Sequence, residues 1–255
     1  MKKVLIIGRQ ILKGCLRARS LSLVIFYFFS LVIFMSMLSS SDSAYRKALI
    51  IDSGLSLINI FGLFLVALVI LPIYQNEKSR HTLVASLSFD VSRAKYLWGL
   101  WSGSGAALLI NYLAMSLLLI STLLVLGVPV EFGIFRQLFL NFCELLALGS
   151  FAITFSVFFS NVVATMLTFS IYLVGHMTTS FHEAVYEWKG SLIGRALDLV
   201  WAVMPDLSLF NLKDIVVKNS EIPFYYEMVA LIYALSMIFI AMEIARYRLN
   251  RENLM

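Results

Sequence analysis

Residues 57 to 74 read LINIFGLFLVALVILPIY, eighteen positions with one amide and no charge. The natural solvent for such a run is bilayer hydrocarbon, where only helices and closed barrels pair every backbone group. Six runs of this kind recur, approximately Leu21 to Leu38, Leu55 to Ile73, Leu100 to Leu126, Leu138 to Phe159, Val162 to Phe181 and Met228 to Ile244. Each is near the roughly 20 residues a helix needs to cross the hydrocarbon core. The third is too long for a straight crossing, so it either tilts or lays its first turns, with Trp98 and Trp101, in the interface. Composition agrees: 60% of the 255 residues are hydrophobic and 14% charged, against about 25% charged in soluble domains. These features predict an all-α integral membrane protein with six transmembrane helices, one membrane domain over residues 1–255 with no room for an aqueous domain.

The basic residues set the expected orientation. Lys2, Lys3, Arg9, Lys13, Arg17, Arg19, Lys78, Arg80, Arg93, Lys95, Arg246, Arg248 and Arg251 fall on the side of both termini, and Arg46, Lys47, Arg136, Lys189, Arg195, Lys213 and Lys218 on the other. Thirteen of twenty on one side makes both termini cytoplasmic by the positive-inside rule, so the chain is expected as a multi-pass protein with both ends on the inner side. The net charge of +5 then reflects topology, with no nucleic acid implied. Residues 1–20 place Val4, Leu5, Ile11, Leu12, Cys15 and Leu16 on one face and Arg9, Lys13 and Arg17 on the other. This predicts an amphipathic helix on the inner leaflet, in contact with membrane lipids; an unstructured basic flank is the plainer alternative. SMLSSSDSA after the first run resembles a cleavage site, but the apolar run of 18 exceeds the roughly 7 to 15 of a signal peptide. Cys15 and Cys143 lie near opposite faces with no CxxC spacing, which argues against a disulfide framework or thiolate metal site.

No GxxxxGK[ST] occurs, so ATP chemistry would have to come from another chain. His182-Glu183 lacks the second histidine of a zinc protease. SGSGA, with Ser104 between Gly103 and Gly105, resembles the serine of intramembrane proteases, yet Ser104 and His176 are expected at opposite ends of their spans, more than about 10 Å apart. The spacing of Gly99, Gly103 and Ala107 more simply marks close helix packing.

Glu144 is the acid deepest inside an expected span, about two turns from its outer end, Glu243 standing at the last turn of the sixth. An ionisable group there faces the bundle interior or a wet cavity, either as a functional group or as a packing group against Asn111. On the fifth span Thr165, Thr168, Tyr172, His176 and Thr179 repeat at steps of three and four and form a polar stripe. It lines a helix contact, a subunit seam or a substrate path. Residues 182–225 alternate apolar stretches with charge and are expected as outer re-entrant or interfacial helices.

Between the second and third runs lies the charged segment 75–96, in which Leu83, Val84 and Leu87 share one side of a short helix. That apolar face needs a cytoplasmic partner or the membrane surface. EKSRHTLVASLSFDVSRAKYLWG, from Glu77 to Gly99, resembles the cytoplasmic segment of bacterial ABC-exporter permeases, the type-2 ABC membrane domain family. The matching pattern is Glu77, Thr82-Leu83, Leu87-Ser88 and Ser92-Arg93, in that order, with His81 where the family usually has glycine and Leu100 where it often has lysine. The motif covers about 25 residues, and the six-run architecture is compatible over the whole chain.

The resemblance implies a permease subunit paired with a second permease, the same or a homologous chain, and with two copies of an ABC ATPase that bind ATP and Mg. This chain itself would bind no cofactor or metal and carry no enzyme activity. Glu77, His81, Thr82, Leu83, Leu87 and Ser88 would form the coupling helix that docks on the ATPase. Asn59, Asn111, Glu144, Thr165, Thr168, Tyr172 and His176 are the expected translocation-path residues. Two other readings remain: an ion-coupled carrier or channel using Glu144 and His176, and a membrane scaffold that moves no substrate.

Overall fold

The computed structural model describes residues 2–17, 20–38, 43–79, 92–177, 204–217 and 223–251. Helix dominates, and no strand occurs among the described residues. The elements are α1 (Lys2–Arg17), α2 (Ser20–Leu38), α3 (Ser43–Leu65), a π-helical turn (Val66–Ile70), α4 (Leu71–Ser79), α5 (Arg93–Val125), α6 (Phe132–Phe158), α7 (Asn161–His176), a 3-10 turn (Ser208–Phe210), α8 (Lys213–Val217) and α9 (Phe224–Arg251). Five helical segments are long and apolar enough to cross a membrane: 21–38, 46–77, 93–125, 132–158 and 224–251. The protein is therefore a multi-pass helical membrane protein.

The helix of the expected fifth span is shorter than the sequence suggests. It runs from Asn161 to His176, a rise of about 24 Å against a hydrocarbon core of about 30 Å. The Met177 N–H turns back to the Val174 carbonyl, and the Leu207 N–H takes the Gly175 carbonyl at 3.0 Å, so residue 207 caps the end of α7. Gly175 permits this approach, since a Cβ there would lie 2.6 Å from Leu207 Cγ. The stretch expected to continue to Phe181, with Thr179, lies outside the described residues beyond Met177.

The second span is longer than expected, because helix begins at Ser43 and persists to Ser79. Pro72 accounts for its one irregularity. Proline lacks an N–H and its ring crowds the carbonyl four residues back, and here the chain widens to a π turn in which the Leu71 N–H reaches the Val66 carbonyl. Span three ends in a Schellman motif: Val128 N–H bonds Leu123 O at 2.9 Å, Gly127 N–H bonds Leu124 O at 3.1 Å, and Gly127 holds φ 70°. It begins where Ser92 Oγ caps the Lys95 N–H at 3.4 Å.

Two ends of the bundle can be told apart by contacts. At the near end, Arg93 bonds the Leu249 carbonyl, Gln75 Nε2 donates to Ser156 O at 2.8 Å and Phe159 O at 2.9 Å, and the Arg248 guanidinium lies 5.8 Å from the Phe158 ring centre. The start of α5, the ends of α4, α6 and α9 and the expected turn at Ser160-Asn161 thus meet there. Segment 80–91 is bounded by α4 and α5 at this same end, so the positions flanking the expected coupling helix are together, although the helix itself lies outside the described residues. At the far end, Lys47 pairs with Glu131 at 2.6 Å and Arg136 pairs with Glu227.

The amphipathic α1 forms as expected but is more than a surface helix. It buries Ile7, Ile11 and Cys15, leaves Arg9 and Lys13 exposed, and crosses the start of α5 at near backbone contact. A Cβ at Gly103 would lie 2.5 Å from the Gly8 carbonyl oxygen and 2.9 Å from Gly8 Cα; one at Gly99 would lie 2.9 Å from Ile7 Cγ2. The small-residue spacing on span three therefore marks helix packing, and its partner is Gly8. Burial pushes the Cys15 thiol up to about 11.

Candidate functional site

α6 carries Gln137, Asn141 and Glu144 at positions i, i+4 and i+7, one face of the helix, and all three are buried. Because α6 starts at Phe132, six residues earlier than the apolar run suggested, Glu144 stands about three turns from the helix start. It is fully buried, and its Oε1 lies 2.7 Å from Nε2 of His176, the last residue of α7. The expected contact of Glu144 with Asn111 does not form, since Asn111 Nδ2 donates to Ala107 O in its own helix at 2.8 Å. Tyr172 packs edge-on against the His176 ring at 4.7 Å between centres.

Above this pair, toward the far end, residues 204–212 fold into the protein as irregular backbone. Leu207, Phe210 and Leu212 are buried. Backbone at that depth needs partners in place of water, and side chains supply them. Gln137 Nε2 donates to Phe210 O at 3.0 Å and to Asn141 Oδ1 at 2.5 Å, while Gln137 Oε1 accepts from Leu212 N at 2.6 Å. The Asp206 N–H donates to Tyr233 Oη at 2.8 Å, Asp206 Oδ1 accepts from Ser208 N at 3.0 Å, and Tyr226 Oη donates to Leu209 O at 2.8 Å. Within residues 182–225 this described part is a buried loop capped by the short α8; residues 182–203 and 218–222 lie outside the described residues.

Asn59 is placed at the level of Asn141. One turn further out on α3, Ser56 Oγ accepts from Lys213 Nζ at 3.1 Å, and Lys213 follows Leu212, which Gln137 holds. One turn further in, Gly62 meets Leu145, the neighbour of Glu144. Asn59 therefore stands between those two levels. Three buried polar atoms of this column have no hydrogen-bond partner: Asn59 Oδ1, Asn141 Nδ2 and Glu144 Oε2.

The expected path residues thus separate. Glu144, Tyr172 and His176 converge on one region, while Asn59 is buried on α3 without a contact to them. Asn111, Thr165 and Thr168 turn inward to their own helices, with Thr165 Oγ1 donating to Asn161 O at 2.7 Å and Thr168 Oγ1 to Ala164 O at 2.8 Å. Two of the three threonines in the stripe therefore bond within their own helix. Ser104, bonded to Trp101 O at 3.0 Å, is not brought to His176. Of the expected coupling residues, Glu77 is the last-turn acid of α4, and His81, Thr82, Leu83, Leu87 and Ser88 lie outside the described residues. Gln137 was not singled out from sequence; its i, i+4, i+7 relation to Asn141 and Glu144 on an otherwise apolar run was the available signal. Both cysteines are free and buried.

No protein-family model matches this chain, and no curated protein matches it at a significant level.

Proposed function

We propose that this chain is the membrane permease subunit of an ATP-driven ABC transporter, an exporter of the type-2 membrane-domain family. The observation that carries this reading is the ordered pattern Glu77, Thr82-Leu83, Leu87-Ser88 and Ser92-Arg93 between two spans. Its supports are the N-cap that Ser92 provides to span three, the convergence of α4, α5, α6 and α9 around the segment, and the docking of the basic α1 on the same end. In this reading that end is cytoplasmic in a bacterial inner membrane, α7 completes a sixth crossing with residues beyond Met177, and two ATPase subunits holding ATP and Mg act on a pair of permeases, identical or homologous. ATPase closure pushes segment 80–91, α4 and α5 carry the movement inward, and access to the buried site changes sides. The π turn before Pro72, directly between the segment and Asn59, is the point where α3–α4 bends most readily.

Photo-crosslinkers at Leu83 and Leu87 in the full chain test the proposal: capture of a P-loop ATPase is the expected result. Failure to capture one, together with transport that persists without ATP, overturns it. A second reading, an ion-coupled carrier, draws on the 2.7 Å contact between Glu144 and His176. It requires Glu144→Gln to abolish ion-dependent flux, and unaltered flux removes it.

A further inference from the structure

We propose that the cleft between the starts of α6 and α9 binds the headgroup of a zwitterionic phospholipid with a primary ammonium, phosphatidylethanolamine, from the leaflet at the far end of the bundle. The site lies apart from the Glu144–His176 pair, and it stands or falls independently of the permease reading.

The first observation is the cleft and its level in the bundle. It has a volume of about 280 Å³ and is lined by Phe132, Phe135, Arg136 and Phe139 of α6 and by Phe224 and Glu227 of α9. On α6 the lining residues fall at i, i+3, i+4 and i+7, one face of the helix, and on α9 at i and i+3. Both helices begin here, and the exposed pair of Lys47 with Glu131 stands beside Phe132, so the cleft opens where hydrocarbon gives way to headgroups. Phe132 is 76% and Phe224 72% exposed, and Phe135 and Phe139 are almost half exposed. Met228 and Ile232, both exposed, continue this apolar surface along α9 toward the middle of the bilayer. A lipid seated with its head in the cleft therefore has an apolar track for its chain.

The second observation is the ion pair inside it. Arg136 Nε donates to Glu227 Oε1, and Arg136 Nη2 donates to the Pro223 carbonyl at 3.4 Å. Both side chains of the pair are only 14% exposed. A pair so far out of water is stable when its remaining lone pairs are also used, yet Glu227 Oε2 has no partner among the described residues. That acceptor favours a positive group that donates hydrogen bonds, and a primary ammonium has three N–H donors. A guanidinium has five, in a planar fork that matches phosphate oxygens, so Arg136 can keep Glu227 and meet a phosphate together. The cleft thus sets an anionic acceptor beside a cationic donor, the charge complement of a phosphoethanolamine head, and the surrounding rings favour the ammonium further. A choline head has no N–H for Oε2, and a glycerol head has no positive charge.

Native mass spectrometry of the full chain in detergent, titrated with dioleoyl phosphatidylethanolamine, phosphatidylcholine or phosphatidylglycerol, is the test. The first lipid bound is expected to be at least tenfold tighter for phosphatidylethanolamine than for the other two. Glu227→Gln should bring phosphatidylethanolamine down to the level of phosphatidylcholine. Phe139→Ala, which leaves the ion pair in place, should weaken all three lipids several-fold. Should Glu227→Gln fail to fold because Arg136 has lost its carboxylate, the double variant Arg136→Gln/Glu227→Gln takes its place with the same expected loss of preference. Equal affinity of wild type for phosphatidylethanolamine and phosphatidylcholine means annular lipid only and overturns the proposal. A preference that survives in whichever charge variant folds, or unchanged binding in Phe139→Ala, puts the lipid elsewhere and overturns it too. Tighter binding of phosphatidylglycerol reassigns the cleft to an anionic head, with the same consequence. None of these outcomes bears on ATPase capture at Leu83 and Leu87, which decides the permease reading separately.

Discussion

The two halves of the bundle are held together by opposite means. At the near end, α1 and α5 meet through Gly8, Gly99 and Gly103, with Ile7, Ile11 and Cys15 buried alongside and Ser102, which bonds within its own helix, as the polar side chain against Gly8. In the far half, Gln137, Asn141, Glu144, His176, Tyr226 and Tyr233 fill the interior with hydrogen bonds, and several buried polar atoms are left over. Lipid gives little hydrophobic drive to helix association, so close backbone packing is the inexpensive way to join helices. A rigid apolar seam suits a part that receives and transmits a push. Polar groups placed where each costs free energy suit a part that binds something.

Four substitutions sharpen that contrast, taken from the largest expected effect to the smallest. His176→Phe leaves the buried Glu144 carboxyl without its partner, and should destabilise the protein by about 3–5 kcal/mol in thermal unfolding. Adding Glu144→Leu removes the orphaned acid and should restore most of that loss; purely additive losses would mean the two side chains do not act as a pair. Gln137→Leu strands the Phe210 carbonyl and the Leu212 N–H, for an expected loss of about 2–4 kcal/mol and faster proteolysis within 204–217.

Gly103→Val forces a side chain against the Gly8 backbone, with an expected cost of about 1–3 kcal/mol and undocking of α1. Maleimide labelling of Cys15 reads the undocking directly. Burial holds that thiol neutral up to about 11 against an ordinary value of 9.0, so wild type should label slowly at pH 8 and the variant at least tenfold faster. Because the docked form favours the neutral thiol, this contribution to docking is complete below pH 9 and declines as pH rises toward 11. The smallest effect is expected for Thr154→Val, which removes the 2.8 Å bond to Ala241 O between α6 and α9 and should cost about 0.6 kcal/mol.

Much of the near end was legible in sequence because its signals are local. The amphipathic pattern of residues 1–20, the Gly99-Gly103-Ala107 spacing and Ser92 before a long apolar run each report on one helix, and each corresponds to what α1 and α5 do. What sequence could not supply was the partner of the glycine stripe, since Gly8 and Gly103 lie far apart in the chain. The far half was read less well for the same physical reason. Glu144 and His176 were both singled out, but their contact joins two helices through the register of α6 on α7, which depends on where each helix begins and stops. Hydropathy placed the start of α6 at Leu138, since Arg136 and Gln137 interrupt the apolar run, and so set Glu144 too shallow. It also carried α7 on to Phe181, because apolar content says nothing about Gly175 admitting Leu207. The threonines say less than their spacing suggests: Thr165 and Thr168 share the polar stripe, yet each hydroxyl returns its proton to the carbonyl four residues back and so requires no neighbour.

The central claim is that segment 80–91 is where ATP-driven movement enters the membrane domain. Its most direct test is permease-dependent ATP hydrolysis, measured with the full chain and its ATPase in liposomes. The account predicts that the chain stimulates hydrolysis and that Leu83→Asp abolishes the stimulation while the variant remains folded and inserted. Equal hydrolysis with wild type, with Leu83→Asp and with the chain omitted would contradict it.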